Sequence, residues 1–274
     1  MAVVKVENLS LGYGKNPVAT GISFAVGKGQ LVGIVGSNGA GKSTLLKTLR
    51  GLLPKIEGNI SFFDRDLASY KEVELAQSIA YLQQQVQLDF AYTGEDLVLA
   101  GRYPYHKWWQ GESKEDKELV QACLEYTGTL PLAQRPVNQL SGGQKQRLLL
   151  AKVLAQQTPI LFLDEPTTGL DMVYQEEFFR FARELAQMGK TVLMVVHELP
   201  LAANYCQRIL LLGKGRLLAD GTPQAVFTDE LLTAAYDAQV RACWHDNNKL
   251  ELTTISQAKE ERHALLQEIC GGLK

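Results

Sequence analysis

The sequence predicts an α/β fold in which a mainly parallel sheet is covered by helices. Short apolar runs at 31–36, 160–163 and 192–196 have the length of buried strands. Segments with helical patterning lie between these runs, and such alternation is typical of parallel sheets with helices on their faces. A length of 274 residues fits one large domain or a core with an appendage.

Three antiparallel strands and one buried strand are predicted near the start of the chain. The alternating residues at 4–11 and the run at 22–26 are expected to pair, and 58–63 adds a strand to the same group. The buried strand at 31–35 leads into a glycine-rich loop, and a helical pattern at 42–53 follows it.

The middle of the chain is predicted to be helical. Residues 95–101, 114–126 and 142–157 favour helix, and apolar residues of the second segment recur at three- and four-residue spacing. We therefore expect a helical subdomain at about 85–157, inserted into the α/β core.

Strands and helices alternate again after this insertion. The expected elements are a strand at 160–163, a helix at 174–188, a strand at 191–196, a helix at 199–206 and a hairpin over 209–219. Residues 1–237 are therefore expected to form one domain. Residues 238–274 are a C-terminal extension with two short strands and a helix at 256–269, and extra packing on the core is the favoured role.

The composition limits the possible functions. Apolar residues make up 46% of the chain and charged residues 21%, which is typical of a folded globular protein. The net charge of −2 gives no indication of nucleic-acid binding. The four cysteines have no metal-binding spacing, and no segment resembles a signal peptide or a membrane span. We therefore expect a cytosolic protein that acts at a membrane only through another chain.

The most specific motif is a phosphate-binding loop of the form GxxxxGK[ST] between the predicted strand and helix. Its glycines let successive N–H groups point at phosphate oxygens, and the helix start adds positive potential. Lys42 is expected to reach the outer phosphates, and Ser43 to hold Mg²⁺. The predicted nucleotide-binding residues of this segment are Gly36, Ser37, Asn38, Gly39, Ala40, Gly41, Lys42, Ser43 and Thr44.

Two adjacent carboxylates, Asp164 and Glu165, follow the predicted strand at 160–163. Ligands of α/β sheets bind at the carboxyl ends of the strands. Asp164 is expected to hold Mg²⁺ directly or through water, and Glu165 to polarise the water that attacks the γ-phosphate. Such a pair is also common in exposed turns, and the phosphate loop is what favours the functional interpretation.

A third motif is LSGGQ at 140–144, where a serine cap and two glycines open a helix. It could be a second anion site or only a helix cap. Together with the phosphate loop and the acid pair, it resembles the ATPase subunits of ATP-binding cassette (ABC) transporters, from about residue 3 to about 237. The resemblance implies an ABC-type P-loop ATPase that binds ATP and Mg²⁺, and it places at the nucleotide Ser141, Gly142, Gly143 and Gln144.

The resemblance also assigns roles to four further residues. Tyr13 matches the aromatic residue that stacks on adenine, and Asp171 matches the loop that communicates between paired subunits. His197 matches the switch histidine at the γ-phosphate. Gln84 matches the glutamine that contributes to catalysis and metal binding, but the usual preceding proline is replaced. The alternatives for this position are Gln83, Gln84 and Gln85.

An assembly follows from the resemblance. In this family ATP lies between the phosphate loop of one subunit and the LSGGQ of another, and this chain carries one copy of each. A head-to-tail homodimer is therefore implied, with integral membrane permease subunits as partners and an extracytoplasmic substrate-binding protein as an indirect one. The implied location is peripheral, at the cytoplasmic face of the cell membrane, and no nucleic acid is expected as a partner.

Two segments, 96–105 with its Gly-Arg-Tyr-Pro sequence and 220–223, resemble the importer branch for ferric siderophores, haem and cobalamin. The alternative is that these residues only end one helix and space the next. An ATPase subunit of an ABC exporter and a soluble non-transport ABC ATPase are the other functions considered. The single cassette and the lack of a coiled-coil insertion argue against ribosome-associated and DNA-repair members.

Overall fold

A computed structural model describes residues 2–83, 92–106, 111–246, 249–255 and 269–270. These residues form a six-stranded sheet, a four-stranded sheet, a two-stranded hairpin and surrounding helices. The predicted α/β class is confirmed. Every helix in these ranges is too short or too polar to cross a lipid bilayer.

The largest sheet is mainly parallel. Its strands are β3 (Leu31–Gly36), β6 (Ile79–Leu82), β7 (Ile160–Asp164), β8 (Thr191–Val195), β9 (Arg208–Gly213) and β10 (Arg216–Gly221). They lie in the order β10-β9-β3-β8-β7-β6, and only the hairpin of β9 and β10 is antiparallel. Strands β3, β7 and β8 are buried along their whole length, as expected for a sheet covered on both faces.

The second sheet is antiparallel and packs on one face of the first. Its strands are β1 (Ala2–Tyr13), β2 (Asn16–Gly27), β4 (Glu57–Phe62) and β5 (Arg65–Asp66), in the order β2-β1-β4-β5. The first helix, α1 (Lys42–Leu49), shares one apolar core with this sheet and with alternate residues of β3, β7 and β8. The same face also carries α2 (Glu72–Ser78) through the buried Leu75.

Helix α1 is shorter than the predicted 42–53. Gly51 has a φ angle of 77°, in the left-handed region, which stops the helix. The N–H groups of Gly51 and Leu52 donate to the carbonyl oxygens of Thr48 and Lys47 at 3.1 and 2.9 Å. This hydrogen-bond pattern is a Schellman motif, which satisfies the last carbonyl groups of the helix.

Helices occupy the chain between β6 and β7. They are α3 (Gly94–Leu99), α4 (Lys114–Tyr126) and α5 (Gly142–Ala155), with 3₁₀ segments at Ala100–Tyr105, Leu130–Leu132 and Val137–Gln139. Their apolar residues join a second core, which also contains residues of α6 (Met172–Gln187) and α7 (Leu199–Tyr205). This core covers the face of the large sheet opposite to α1.

The described part of the C-terminal extension packs on the core. After α8 (Pro223–Val226) and α9 (Asp229–Tyr236), β11 (Gln239–Trp244) and β12 (Leu250–Ile255) pair as an antiparallel hairpin. The Trp244 indole N–H donates to the carbonyl of Phe227 at 3.2 Å, and Val240 and Leu250 are buried. The described residues contain no group of three or more His, Cys, Asp or Glu side chains that could together hold a metal ion.

Ion pairs fix the 3₁₀ segment Ala100–Tyr105 to its neighbours. A Cβ atom at Gly101 would collide with the carbonyl of Lys152 in α5, so this contact requires glycine. The Arg102 guanidinium donates to Asp116 Oδ1 of α4 at 2.7 Å, and His106 Nε2 lies 2.7 Å from the other carboxylate oxygen. Gly101 therefore allows close packing against α5, and Arg102 anchors the 3₁₀ segment to α4.

The pKa of Asp116 makes this anchor testable. Burial acts to raise this pKa, but hydrogen bonds from Arg102, Ser113 and His106 outweigh burial and hold it well below its usual range. A carboxylate with a depressed pKa stabilises the fold above its unfolded-state pKa of about 4, and this contribution is lost as the pH falls.

We therefore expect Asp116→Asn to lower the free energy of unfolding by about 2 kcal/mol at pH 7. The deficit should shrink by up to about 1 kcal/mol at pH 3.5, as measured by urea denaturation. The control is Glu112→Gln, in an exposed pair with Lys117, which should change stability by less than about 0.5 kcal/mol. An equal deficit at both pH values would contradict the prediction.

Candidate nucleotide-binding site

The phosphate loop connects the end of β3 to the start of α1. Gly36, Gly39 and Gly41 have φ angles of 145°, 81° and 95°, which residues with side chains rarely adopt. At Gly36 a Cβ atom would also collide with the carbonyl oxygen of Leu212 in β9. Glycine at these positions therefore lets the chain turn sharply from the buried strand into the helix.

The Lys42 side chain folds back over the loop. Its Nζ donates to the carbonyl oxygens of Gly36 and Ser37 at 2.8 and 3.0 Å, and the residue is only 4% exposed. Burial lowers its pKa, and the carboxylates of Glu165 and Asp164 oppose this shift. A largely dehydrated ammonium group beside a loop of backbone N–H groups favours the binding of phosphate oxygens.

Asp164 is the last residue of β7 and is 1% exposed. The Ser43 hydroxyl donates to its Oδ1 at 2.7 Å, and the Tyr81 hydroxyl donates to its Oδ2 at 2.9 Å. Burial raises the pKa of Asp164, and these two hydrogen bonds oppose the rise. The pKa of Tyr81 is strongly raised, mainly by burial and further by the negative charge of the nearby Asp164. The phenol is therefore a neutral hydrogen-bond donor.

Ser43 and Asp164 fit the coordination of Mg²⁺. This ion binds oxygen ligands in an octahedron at about 2.1 Å, so neighbouring ligand oxygens lie about 3 Å apart. The Ser43 Oγ and Asp164 Oδ1 atoms are 2.7 Å apart, close to that separation. Both atoms could therefore face one ion once the hydrogen bond between them gives way.

Glu165 and His197 are in contact at the same edge of the sheet. Nε2 of His197 lies 2.8 Å from Oε1 of Glu165, and the Thr168 hydroxyl donates to Oε2 at 3.2 Å. Glu165 has a φ angle of 49°, an unfavourable backbone conformation for a residue with a side chain. The turn after β7 therefore holds the carboxylate beside the imidazole that follows β8.

A cavity of about 290 Å³ lies over the phosphate loop. Tyr13, at the end of β1, forms one part of its wall and is 56% exposed, which leaves an aromatic face accessible. An aromatic group beside a cationic loop suits a nucleotide, which carries both a base and phosphates. The lining residues are Tyr13, Val18, Asn38, Gly39, Gly41, Lys42, Ser43, Thr44 and Glu165.

The LSGGQ motif opens α5, as the sequence predicts. Ser141 Oγ accepts from the N–H of Gln144 at 3.3 Å, and Gln144 Oε1 accepts from the N–H of Ser141 at 3.0 Å, forming a capping box. Gly142 is exposed, with open space around the position of a Cβ atom. Among the residues that the structure describes, no member of this motif lines the cavity over the phosphate loop.

Asp171 caps α6. Its Oδ1 accepts from the N–H groups of Val173 and Tyr174, both at 3.1 Å.

The predicted Gln84 lies outside the described residues, as does the alternative Gln85, whereas Gln83 follows β6 directly. The role of Gln84 stays a prediction.

Sequence reasoning missed the residues that fix the loop between Glu165 and Asp171. The Gln146 side chain in α5 donates to the carbonyl of Pro166 at 3.0 Å, and the Thr167 hydroxyl donates to Glu198 at 3.0 Å. The only available signal was their position next to recognised motifs, which does not reveal contacts between distant segments. The role of Tyr81 was missed for the same reason.

Comparison with known proteins identifies a matching family and several relatives of this chain. The family model described as ABC transporter matches residues 19–168. A hemin import ATP-binding protein (HmuV) of Streptomyces coelicolor is 40% identical over 86% of this chain and 84% of its own length. The ferric enterobactin transport ATP-binding protein (FepC) of Escherichia coli is 38% identical over 86% of this chain and 88% of its own length. The uncharacterised ABC transporter ATP-binding protein YvrA of Bacillus subtilis is 37% identical over 94% of this chain, which spans 59% of that protein.

Chains of solved ABC transporter structures have a similar fold. A chain of a metal-chelate type ABC transporter in an inward-facing conformation is 28% identical, with a TM-score of 0.79 over 95% of this chain and all of that chain. A dimeric bacterial ABC transporter cassette, MJ0796, is 27% identical, with a TM-score of 0.71 over 80% of this chain and 98% of its own. The fold is therefore similar to that of ABC transporter cassettes.

The position of Lys42 predicts the effect of its removal. Because its ammonium group supplies a charge for phosphate in a poorly solvated place, Lys42→Ala should weaken nucleotide binding by about 100-fold. Binding of a fluorescent ATP analogue measures this loss. The control is Lys190→Ala, since Lys190 also donates to a backbone carbonyl, that of Thr158 at 2.9 Å, but outside this cavity. Equal affinities of the two variants would contradict the assignment.

Proposed function

The chain belongs to the ABC transporter family of ATP-binding proteins, and on this premise we propose that it powers an importer of iron-siderophore, haem or cobalamin-type substrates by hydrolysing ATP. The observation that carries the proposal is the Glu165–His197 pair, 2.8 Å apart, at the phosphate-binding cavity. The relatives named for hemin and ferric enterobactin support the substrate class, and cobalamin rests on the sequence resemblance.

Positioning and charge neutralisation explain the hydrolysis. Lys42 and the loop N–H groups bind and orient the outer phosphates. The carboxylate of Glu165 accepts a hydrogen bond from the attacking water and takes its proton, while His197 orients that carboxylate and reaches the γ-phosphate. Ser43 and Asp164, with Gln84 as a further predicted ligand, would hold Mg²⁺, which offsets the phosphate charge when it is bound.

We propose a head-to-tail homodimer as the active assembly. Support comes from the LSGGQ motif, whose exposed glycine faces open space rather than the chain's own cavity. Further support comes from Met172 and Val173, which are 78% and 62% exposed next to Asp171 and offer an apolar surface to a second copy. In the dimer, ATP would lie between the phosphate loop of one copy and Ser141–Gln144 of the other.

The proposed partners are integral membrane permease subunits, with an extracytoplasmic substrate-binding protein as an indirect partner. The chain would then sit peripherally at the cytoplasmic face of the cell membrane. A candidate contact surface contains three exposed aromatic residues: Tyr92, just before α3, and Tyr103 and Tyr105, in the 3₁₀ segment after it. Exposed aromatic side chains are enriched where proteins bind one another.

The Glu165–His197 pair predicts separable effects on binding and turnover. Glu165→Gln should retain ATP binding but hydrolyse it at least about 100-fold more slowly, because the general base is lost. His197→Ala should also bind ATP and turn it over poorly. The control is Glu251→Gln, which alters the exposed His245–Glu251 pair of the hairpin, 2.9 Å apart, and should leave turnover unchanged. Phosphate release under saturating ATP measures the rates, and rapid hydrolysis by Glu165→Gln would refute the general-base assignment.

Transport is tested in the native host. A deletion strain should lose uptake of one of ferric siderophore, haem or cobalamin, and regain it with the parent chain but not with Lys42→Ala. Affinity capture of Glu165→Gln from gently solubilised membranes should recover a multi-spanning permease. Unchanged uptake together with capture of soluble proteins only would favour a non-transport ATPase, and export of a compound would favour the exporter alternative.

A further inference from the structure

We propose that Tyr81 is a positioning residue that orients the Asp164 carboxylate for the metal ion and ties it to the chain segment leaving β6. This inference rests on the proposed ATPase function. It assigns to the reaction a residue from a strand that contributes no other described residue to the site.

The two oxygens of Asp164 are held from two directions. The Ser43 hydroxyl on α1 donates to Oδ1 at 2.7 Å, and the Tyr81 hydroxyl on β6 donates to Oδ2 at 2.9 Å. Because each hydroxyl engages a different oxygen, rotation of the carboxylate about its Cβ–Cγ bond would break both hydrogen bonds. The Oδ1 atom is thereby directed toward the phosphate loop.

Packing fixes the donor as well as the acceptor. Tyr81 and Asp164 lie on parallel neighbours, where Tyr81 is paired with Phe162, two residues before Asp164. Alternate residues of β7 face the core that contains α1, and the half-buried Tyr81 ring packs against the same core. The phenol therefore reaches the carboxylate from a ring that the core holds in place.

The hydrogen bond from Tyr81 would matter most when a metal ion is bound. Ser43 Oγ and Asp164 Oδ1 would then both hold the ion, and the hydrogen bond between them would be given up. The hydrogen bond to Oδ2 does not compete with the ion and can persist. Outer contacts of this kind orient metal ligands, and their loss weakens metal binding by about 10–100-fold.

Tyr81 also lies next to the carboxyl end of β6. Two residues, Leu82 and Gln83, separate it from Gln84 along the chain, and Gln83 directly follows β6. A displacement of the end of β6 would move the phenol and, through one hydrogen bond, the metal-holding carboxylate. Tyr81 thus links the end of β6 directly to the proposed metal site.

The test is Tyr81→Phe, which keeps the ring and removes the hydroxyl. In a Glu165→Gln background, Mn²⁺ affinity in the presence of ATP is measured by the loss of the free-ion electron paramagnetic resonance signal. We expect Mn²⁺ binding about 10-fold weaker than in the parent, with ATP affinity in EDTA changed less than about twofold. With Glu165 restored, the Mg²⁺ concentration for half-maximal hydrolysis should rise by about the same factor.

The matched control is Tyr70→Phe. The Tyr70 hydroxyl donates to the carbonyl of Phe62 at 2.9 Å, so this change also removes a half-buried phenol hydrogen bond, but away from the acid pair. It should lower the melting temperature to a similar extent without affecting Mn²⁺ affinity. If Tyr81→Phe only lowers the melting temperature and binds Mn²⁺ like its parent, the positioning role is wrong while the proposed function stands. If the parent itself binds no metal–ATP complex, both are wrong.

Discussion

The site depends on three buried parallel strands that end at one edge of the central sheet. Strands β3, β8 and β7 are direct neighbours, and Val195 is in register with both Ile34 and Asp164. Their carboxyl ends therefore deliver the phosphate loop, His197 and the acid pair to the same place without any long excursion of the chain. Each of these groups lies at or just after the end of a buried strand, where the chain turns.

The alternation of side chains along these strands determines which way the Asp164 carboxylate points. In β7, Ile160 and Phe162 pack in the core with α1, whereas Leu161 and Leu163 pack in the core with the helices between β6 and β7. By the same period of two, Asp164 faces α1 and meets Ser43. A slip of one residue would turn Asp164 away from the loop. The buried pattern of the strand thus fixes the direction of the proposed metal ligand, and the left-handed turn at Glu165 directs the next carboxylate elsewhere.

The features that the sequence predicted well depend on neighbours along the chain. The buried strands β3, β7 and β8, the helix Lys114–Tyr126, the phosphate loop and the serine cap at 141 follow from local patterns. The strand expected at 22–26 is longer in the structure, at Asn16–Gly27. The hydrogen bonds of Tyr81, Gln146 and Glu198 join segments far apart in sequence, and no pattern in one segment reveals the partner in another. The end of α1 was also predicted too late, because apolar residues after Gly51 continued the helical pattern past its left-handed stop.

The missed contacts join helix α5 to the turn that carries Glu165, and that turn to the segment that carries His197. Helix α5 begins with the LSGGQ motif and, through Gln146, binds the carbonyl of Pro166, the residue next to Glu165. Thr167 binds Glu198, the residue next to His197. One hydrogen bond therefore joins α5 to the turn that carries Glu165, and another joins that turn to the segment that carries His197. The proposed nucleotide contact at the start of α5 and the proposed general base Glu165 are thus joined by polar contacts within one chain, and a second copy that displaced α5 would act on the acid and histidine pair through these contacts.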